Sequence, residues 1–159
     1  MAFDKPVLSL PGRQRISDNG RGGRGVIHLT AEETGGAIGM WEAHPAPGTG
    51  PGWHTHTRET ETFCILAGTF RFWVGEDTCD AGPGGVVALP PHIPHQWKNV
   101  GDTPGHVIGI STPGGFERFF IELARKGGMM TPEEIAALNA ELGVVDGGMG
   151  ARLGKGELS

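Results

Sequence analysis

The stretch Gly48-Thr-Gly-Pro-Gly-Trp-His54-Thr-His56-Thr-Arg-Glu-Thr-Glu61-Thr-Phe-Cys-Ile-Leu-Ala-Gly68 decides how this chain is read. Side chains at i and i+2 of a strand leave the same face, so the imidazoles of His54 and His56 can reach one point. Thr57 to Thr60 allow a reversal, and Glu61 then opens a second strand whose carboxylate can close on that point. Further on, the block Gly84-x5-Pro90-x-His92-x2-His95-x3-Asn99 offers His95 as a donor from a later strand. Three nitrogens and one carboxylate would hold a divalent cation and leave room for water, O2 or substrate. A His-x-His triplet alone is a weak signal; the coincidence of carboxylate, following glycine and second Pro/His/Asn block makes it specific. Without an ion, four such groups driven together would desolvate one another at a cost.

Around this stretch the sequence reads as strands. Gly (29 residues) and Pro (12 residues) fill about a quarter of the 159 positions, and from Val26 to Thr112 they punctuate short runs of Val, Ile, Phe and Trp. The runs predict strands at Val26 to Leu29, Ala37 to Ala43, Trp53 to His56, Thr62 to Leu66, Thr69 to Val74, Thr78 to Ala81, Val86 to Leu89, His95 to Val100 and His106 to Ser111. Ala67-Gly68 reads as a tight hairpin, with similar turns at 75–77 and 82–85, so adjacent antiparallel pairs are expected to dominate. The length allows one domain with a real core. Residues 1–25 read as an extended arm with one edge strand around Val7 to Leu10, and residues 26–112 as a sandwich or barrel.

After Pro113 the apolar period changes to that of a helix, with Phe116, Phe119, Phe120 and Leu123 on one face and Glu117, Glu122 and Arg125 on the other. Gly127-Gly128 should stop it. Thr131-Pro132-Glu133-Glu134 then supplies an N-cap, a first-turn proline and a capping-box carboxylate, opening a second helix to about Leu142. Residues 113–142 are thus helical, and the Gly-rich segment 143–159 is expected to be a flexible tail.

The two motif blocks resemble the paired signature motifs of the cupin superfamily, and Glu59-Thr-Glu-Thr-Phe-Cys-Ile-Leu-Ala-Gly68 resembles its usual second strand. The resemblance implies an all-β, double-stranded β-helix (jelly-roll) barrel with C-terminal helices, binding one divalent ion on His54, His56, Glu61 and His95. One departure is His92, where the second motif usually has a turn glycine; histidine tolerates a left-handed backbone better than most residues. Glu59 is weighed as an alternative ligand and placed behind Glu61 by its offset from His56. Ser111-Thr-Pro-Gly-Gly-Phe-Glu-Arg-Phe-Phe120 resembles the helix entry of small single-barrel cupins similar to quercetin 2,3-dioxygenase.

That likeness implies a metal-dependent dioxygenase acting on an aromatic or enol-type small molecule whose oxygen binds the ion. Glu61 would be both ligand and general base. Phe63 and Ile65 share the parity of Glu61, and Trp97 that of His95, so these should face the interior; Phe72, Met40 and Trp53 complete the expected substrate contacts. The same site could instead serve a non-oxidative isomerase, cyclase or hydrolase, or a non-catalytic binding module. Fe, Mn, Ni, Co and Zn all suit such donors. His28, His44 and His106 lie off the motifs and read as structural or exposed.

The net charge of −5, with basic residues clustered only at Arg21 to Arg24, argues against nucleic acid as a partner. No apolar run reaches the roughly 20 residues a spanning helix needs, and a cytoplasmic protein without membrane contact is expected. Cys64 and Cys79 fall in different predicted strands and read as free thiols. An exposed strand edge and an N-terminal arm favour a homodimer.

Overall fold

The computed structural model describes residues 3, 5–18 and 24–147. Strand β5 (Thr60–Ala67) shows the pattern that organises the whole: Glu61, Phe63 and Ile65 are buried while Thr62 and Cys64 on the other face are only half-buried. Period-two alternation of this kind puts one face on a core. It recurs in β3 (Gly39–Ala43), β6 (Phe70–Val74) and β10 (His106–Thr112). The remaining strands are β1 (Arg15–Asp18), β2 (Arg24–Leu29), β4 (His54–His56), β7 (Asp77–Ala81), β8 (Val86–Leu89), β9 (His95–Asn99) and β11 (Val144–Asp146).

Two antiparallel sheets result, one in the order β1-β2-β3-β10-β5-β8 and the other β11-β4-β9-β6-β7. Phe63, Ile65, Phe70, Phe72, Leu89 and Val107 fill the space between them, with Trp97 and Val87 at the margin. This is the all-β jelly roll expected. Every strand anticipated between residues 26 and 112 is present, its ends within two residues of expectation.

The connections differ. Ala67-Gly68 is not a hairpin, because β5 belongs to one sheet and β6 to the other. The turn carries the chain across the sandwich, with Gly68 at φ 88° where a Cβ would stand 2.9 Å from Gly105 Cα. Residues 82–85 cross back from β7 to β8 in the same way, and of these three turns the one at Gly75 alone closes a true hairpin, pairing Val74 with Asp77. A short turn has the same residues whether the next strand folds back or crosses to the facing sheet, so periodicity and turn chemistry do not distinguish them.

The arm and the tail also depart from expectation. Val7 to Leu10 form no strand; Pro6 and Pro11 bracket them, Leu8 and Leu10 are exposed, and the first strand is β1, paired with β2. Arg21 lies outside the described residues. At the other end, Val144–Asp146 leave the expected flexible tail to pair with β4, placing Val144 opposite His56 and Asp146 opposite His54. Gly143, at φ 77°, ends the preceding helix and turns the chain, and Val144 packs on Leu138 and Leu142. A Gly-rich average over the segment hides these two β-branched residues. Residues 148–159 lie outside those described.

The helices α1 (Glu117–Arg125) and α2 (Pro132–Leu142) form as expected, α2 with the full Thr131/Glu134 capping box. Trp41, projecting from the inner face of β3, meets Phe116 and Phe120 at centroid distances of 5.5 and 5.2 Å. Glu117 corrects the helical-face assignment: it is buried, not solvated with Glu122 and Arg125. Its carboxylate accepts the backbone N–H of Gly115 and of Ala31, both at 2.7 Å. An acid in a first helical turn finds unpaired N–H groups close by, and here one lies on the loop after β2.

Candidate metal centre

His54 and His56 both project inward from β4, Glu61 projects inward from the start of β5, and His95 opens β9 directly opposite His54. All four are buried, and one donor atom from each lies within 4.8 Å of the others. Glu61 Oε2 stands 3.7 Å from His56 Nε2 and 3.6 Å from His95 Nε2. These separations exceed a hydrogen bond. Two donors each about 2.1 Å from a shared ion lie roughly 3 to 3.6 Å apart for angles from about 90° to about 120°, so the spacing is close to that of ligands around one cation.

The far side of each ring is fixed. His54 Nδ1–H donates to the Gly52 carbonyl at 2.8 Å, and His95 Nδ1–H to the Ile93 carbonyl at 2.9 Å, the same two-residue-back contact made twice. His56 Nδ1–H donates to Glu59 Oε1 at 2.7 Å. With Nδ1 carrying the proton, each Nε2 presents a lone pair inward. His56 Nε2, His95 Nε2 and Glu61 Oε2 are then buried without a hydrogen-bond partner. Unpaired buried acceptors facing one another cost free energy in a dry interior, and a cation satisfies all of them at once. The residues therefore fit a divalent ion.

The surroundings tune the two β4 imidazoles in opposite directions. Burial pushes His54 below the ordinary histidine value, against a smaller upward pull from Glu61. At His56 burial also acts downward, but the Glu59 hydrogen bond and the charges of Glu61 and Glu59 together carry it above the ordinary value.

Of the other residues singled out from sequence, Phe63, Ile65 and Phe72 are buried in the one core cluster, and Trp97 closes on Phe63 at 5.4 Å. Phe72 is on the buried face of β6, as expected from the run Phe70, Phe72, Val74. Met40 is not among them. It lies on the opposite face of β3 from Gly39 and Trp41, because inward positions on that strand fall on odd numbers. Trp53 precedes β4 and is half-buried, with its carbonyl accepting Gly147 N–H. His92 is exposed at φ 67°, and its N–H donates to the His56 carbonyl at 2.7 Å.

Two neighbours of the centre were not read as such from sequence. Glu59 supports His56 from behind rather than competing with Glu61; its i+3 offset from His56 was the available signal. Phe116 stands edge-on to His56 at 4.5 Å, packing α1 against the centre. No local pattern links two residues so far apart in the chain.

Residues 41–111 match the family model described as Cupin domain. No curated protein matches the sequence. Among solved structures, KdgF from a Halomonas species superposes with a TM-score of 0.60 at 15% identity, over 70% of this chain and 98% of that one. An RmlC-like cupin from Shewanella frigidimarina gives 0.59 at 20% identity, over 72% and 96%. A predicted oxalate decarboxylase from Thermotoga maritima gives 0.53 at 22% identity, over 63% and 91%. At these identities the likeness is one of fold, and it does not specifically support the kinship with quercetin 2,3-dioxygenase expected from Ser111 to Phe120. Residues 41–111, which hold both motifs, match the cupin family model and lie within the two-sheet jelly roll: this part of the chain is a cupin domain.

Proposed function

We propose that the chain is a metal-dependent dioxygenase acting on an aromatic or enol-type small molecule, with His54, His56, Glu61 and His95 holding one divalent ion. The observation that carries the reading is the set of orphaned acceptors, two imidazole nitrogens and one carboxylate oxygen, buried and aimed at a common point. A redox-capable ion held there supplies a Lewis acid for a substrate oxygen and a centre at which O2 can be reduced.

The protein's own contribution is orientation, proton transfer and exclusion of water. Glu59 and the carbonyls of Gly52 and Ile93 lock the three rings in one tautomer. Glu61 accepts a substrate hydroxyl proton on Oε2, an oxygen buried without a hydrogen-bond partner in the protein. Phe63, Phe72 and Trp97 form an apolar floor on the core side that suits a planar ring and keeps bulk water away. The exposed Leu8 and Leu10 on the arm fit a homodimer in which a second copy covers them.

The test is oxygen uptake and product analysis with flavonols and other enols, using protein stripped of metal and reloaded separately with Fe(II), Mn(II), Ni(II), Co(II) or Zn(II). Uptake matched to substrate loss is expected with at least one redox-active ion and not with Zn(II). Glu61→Gln should keep part of the bound metal and lose turnover. Full turnover in that variant would remove Glu61 as the base, and conversion without oxygen uptake would replace dioxygenation by a non-oxidative reaction.

A further inference from the structure

We propose that Glu42, His44 and His106 form a second divalent-cation site, on the outer face of the six-stranded sheet and separate from the buried centre. Glu42 pairs with Ile108 of β10 and lies on the opposite face of β3 from the buried Trp41. The sheet therefore stands between this cluster and the buried donors. Ligand atoms of the three residues lie within 4.8 Å of one another.

Both histidines converge on one carboxylate oxygen, His106 through a hydrogen bond and His44 from just beyond hydrogen-bond distance. His106 Nε2 is 2.8 Å from Glu42 Oε1, and His44 Nε2 is 3.7 Å from the same oxygen. The two imidazoles stack face to face, with centroids 4.3 Å apart and planes within 22°. Both therefore bring the same ring edge to one carboxylate oxygen. Protonating both would stack two positive rings on each other, whereas a single shared cation uses both nitrogens in their neutral form.

The carboxylate is also braced from behind. His28 Nε2 stands 3.0 Å from Oε2, and the His28 Nδ1 is 2.8 Å from Ser9 Oγ on the N-terminal arm. With the serine hydroxyl donating to Nδ1, the proton of His28 sits on Nε2 and points at Glu42, leaving Oε1 to face His44 and His106. A ligating carboxylate held by an outer hydrogen bond is the usual support of a metal site. Imidazole and carboxylate donors on a half-exposed face suit borderline ions such as Zn(II), with water completing the coordination. Bound there, the ion would tie β3 to β10 from outside.

The experiment is Zn(II) titration of the full, metal-stripped chain, followed calorimetrically and by metal content after gel filtration. Wild type should take up two equivalents. His44→Ala should retain one, with affinity for the other lowered at least tenfold; its side chain is 42% exposed, so the fold has little reason to suffer. Glu42→Gln and His106→Ala should match it, with far-UV circular dichroism checking that each is folded. The double variant His54→Ala/His95→Ala should keep the equivalent that His44→Ala loses. A single equivalent in wild type, or two undiminished in His44→Ala, would overturn the proposal. Since the buried centre is read out by its own variant, failure of one site does not imply failure of the other.

Discussion

Glu59→Gln offers a sharp test of how the buried centre is held. Glu59 is 4% exposed and accepts the His56 Nδ1–H at 2.7 Å, a charge-assisted bond in a dry setting. The substitution keeps shape and removes charge, and such a bond loses about half its strength when its acceptor becomes neutral. Two outcomes bracket the effect. If the amide oxygen turns to Nδ1–H, the tautomer survives and the ring is a poorer donor to metal. If the amide NH2 turns to Nδ1 instead, the proton moves to Nε2 and blocks the ligand atom itself. Loss of an outer-shell partner typically lowers metal affinity about 10-fold to 100-fold, or roughly 1.4 to 2.7 kcal/mol; the first outcome belongs at the low end and the second at the high end. Competition against a chelator for Zn(II), wild type beside variant, measures it, and metal-free melting temperatures check the fold. Affinities equal within about twofold would refute the assignment of Glu59 as the group that positions His56.

Three further predictions concern the frame around the site. Glu117→Ala should lower unfolding free energy by about 2 to 5 kcal/mol in denaturant titration, because the N–H groups of Ala31 and Gly115 lose their acceptor inside the fold; a loss below about 0.5 kcal/mol would mean water replaces it freely. Gly109→Ala should cost about 1 to 3 kcal/mol, since a Cβ there runs into the Trp41 indole, and an unchanged melting temperature would contradict the packing. The Arg15 hydrogen bond holds Glu33 below its ordinary value, so its contribution to stability is complete above the unfolded carboxylate range near about pH 4.3 and is lost as pH falls through the lower folded value. Wild type and Glu33→Gln should therefore differ in melting temperature at neutral pH and converge in acid; a gap that persists unchanged at low pH would rule out this pair as its source.

The four inward donors were legible because each lies in a short segment where strand parity fixes direction: His54 and His56 two apart, Glu61 at a strand start, His95 inside a block of prolines. Strand positions were legible for the same reason. Pairing was not, since the cross-sheet step at Gly68 and the hairpin at Gly75 look alike locally and differ only in what faces them. Met40 shows the limit of parity, which must be anchored to a buried neighbour such as Trp41 before it selects a face. Glu117 shows the limit of amphipathic reasoning, because a helix wheel knows nothing of the unpaired N–H groups at its own start. The outer cluster escaped notice because Glu42, His44, His106 and His28 come together only through the pairing of β2, β3 and β10.

Strand β4, which carries two of the four inward donors, has little backbone support of its own. Its only ladder partner in β9 is the His54–His95 pair, and its other edge is covered by the three residues Val144–Asp146. During synthesis the donors of the first block emerge long before that covering edge. The edge of β4 away from β9 therefore stays unpaired until the segment around residue 144 has been made, and only then is the strand flanked on both sides.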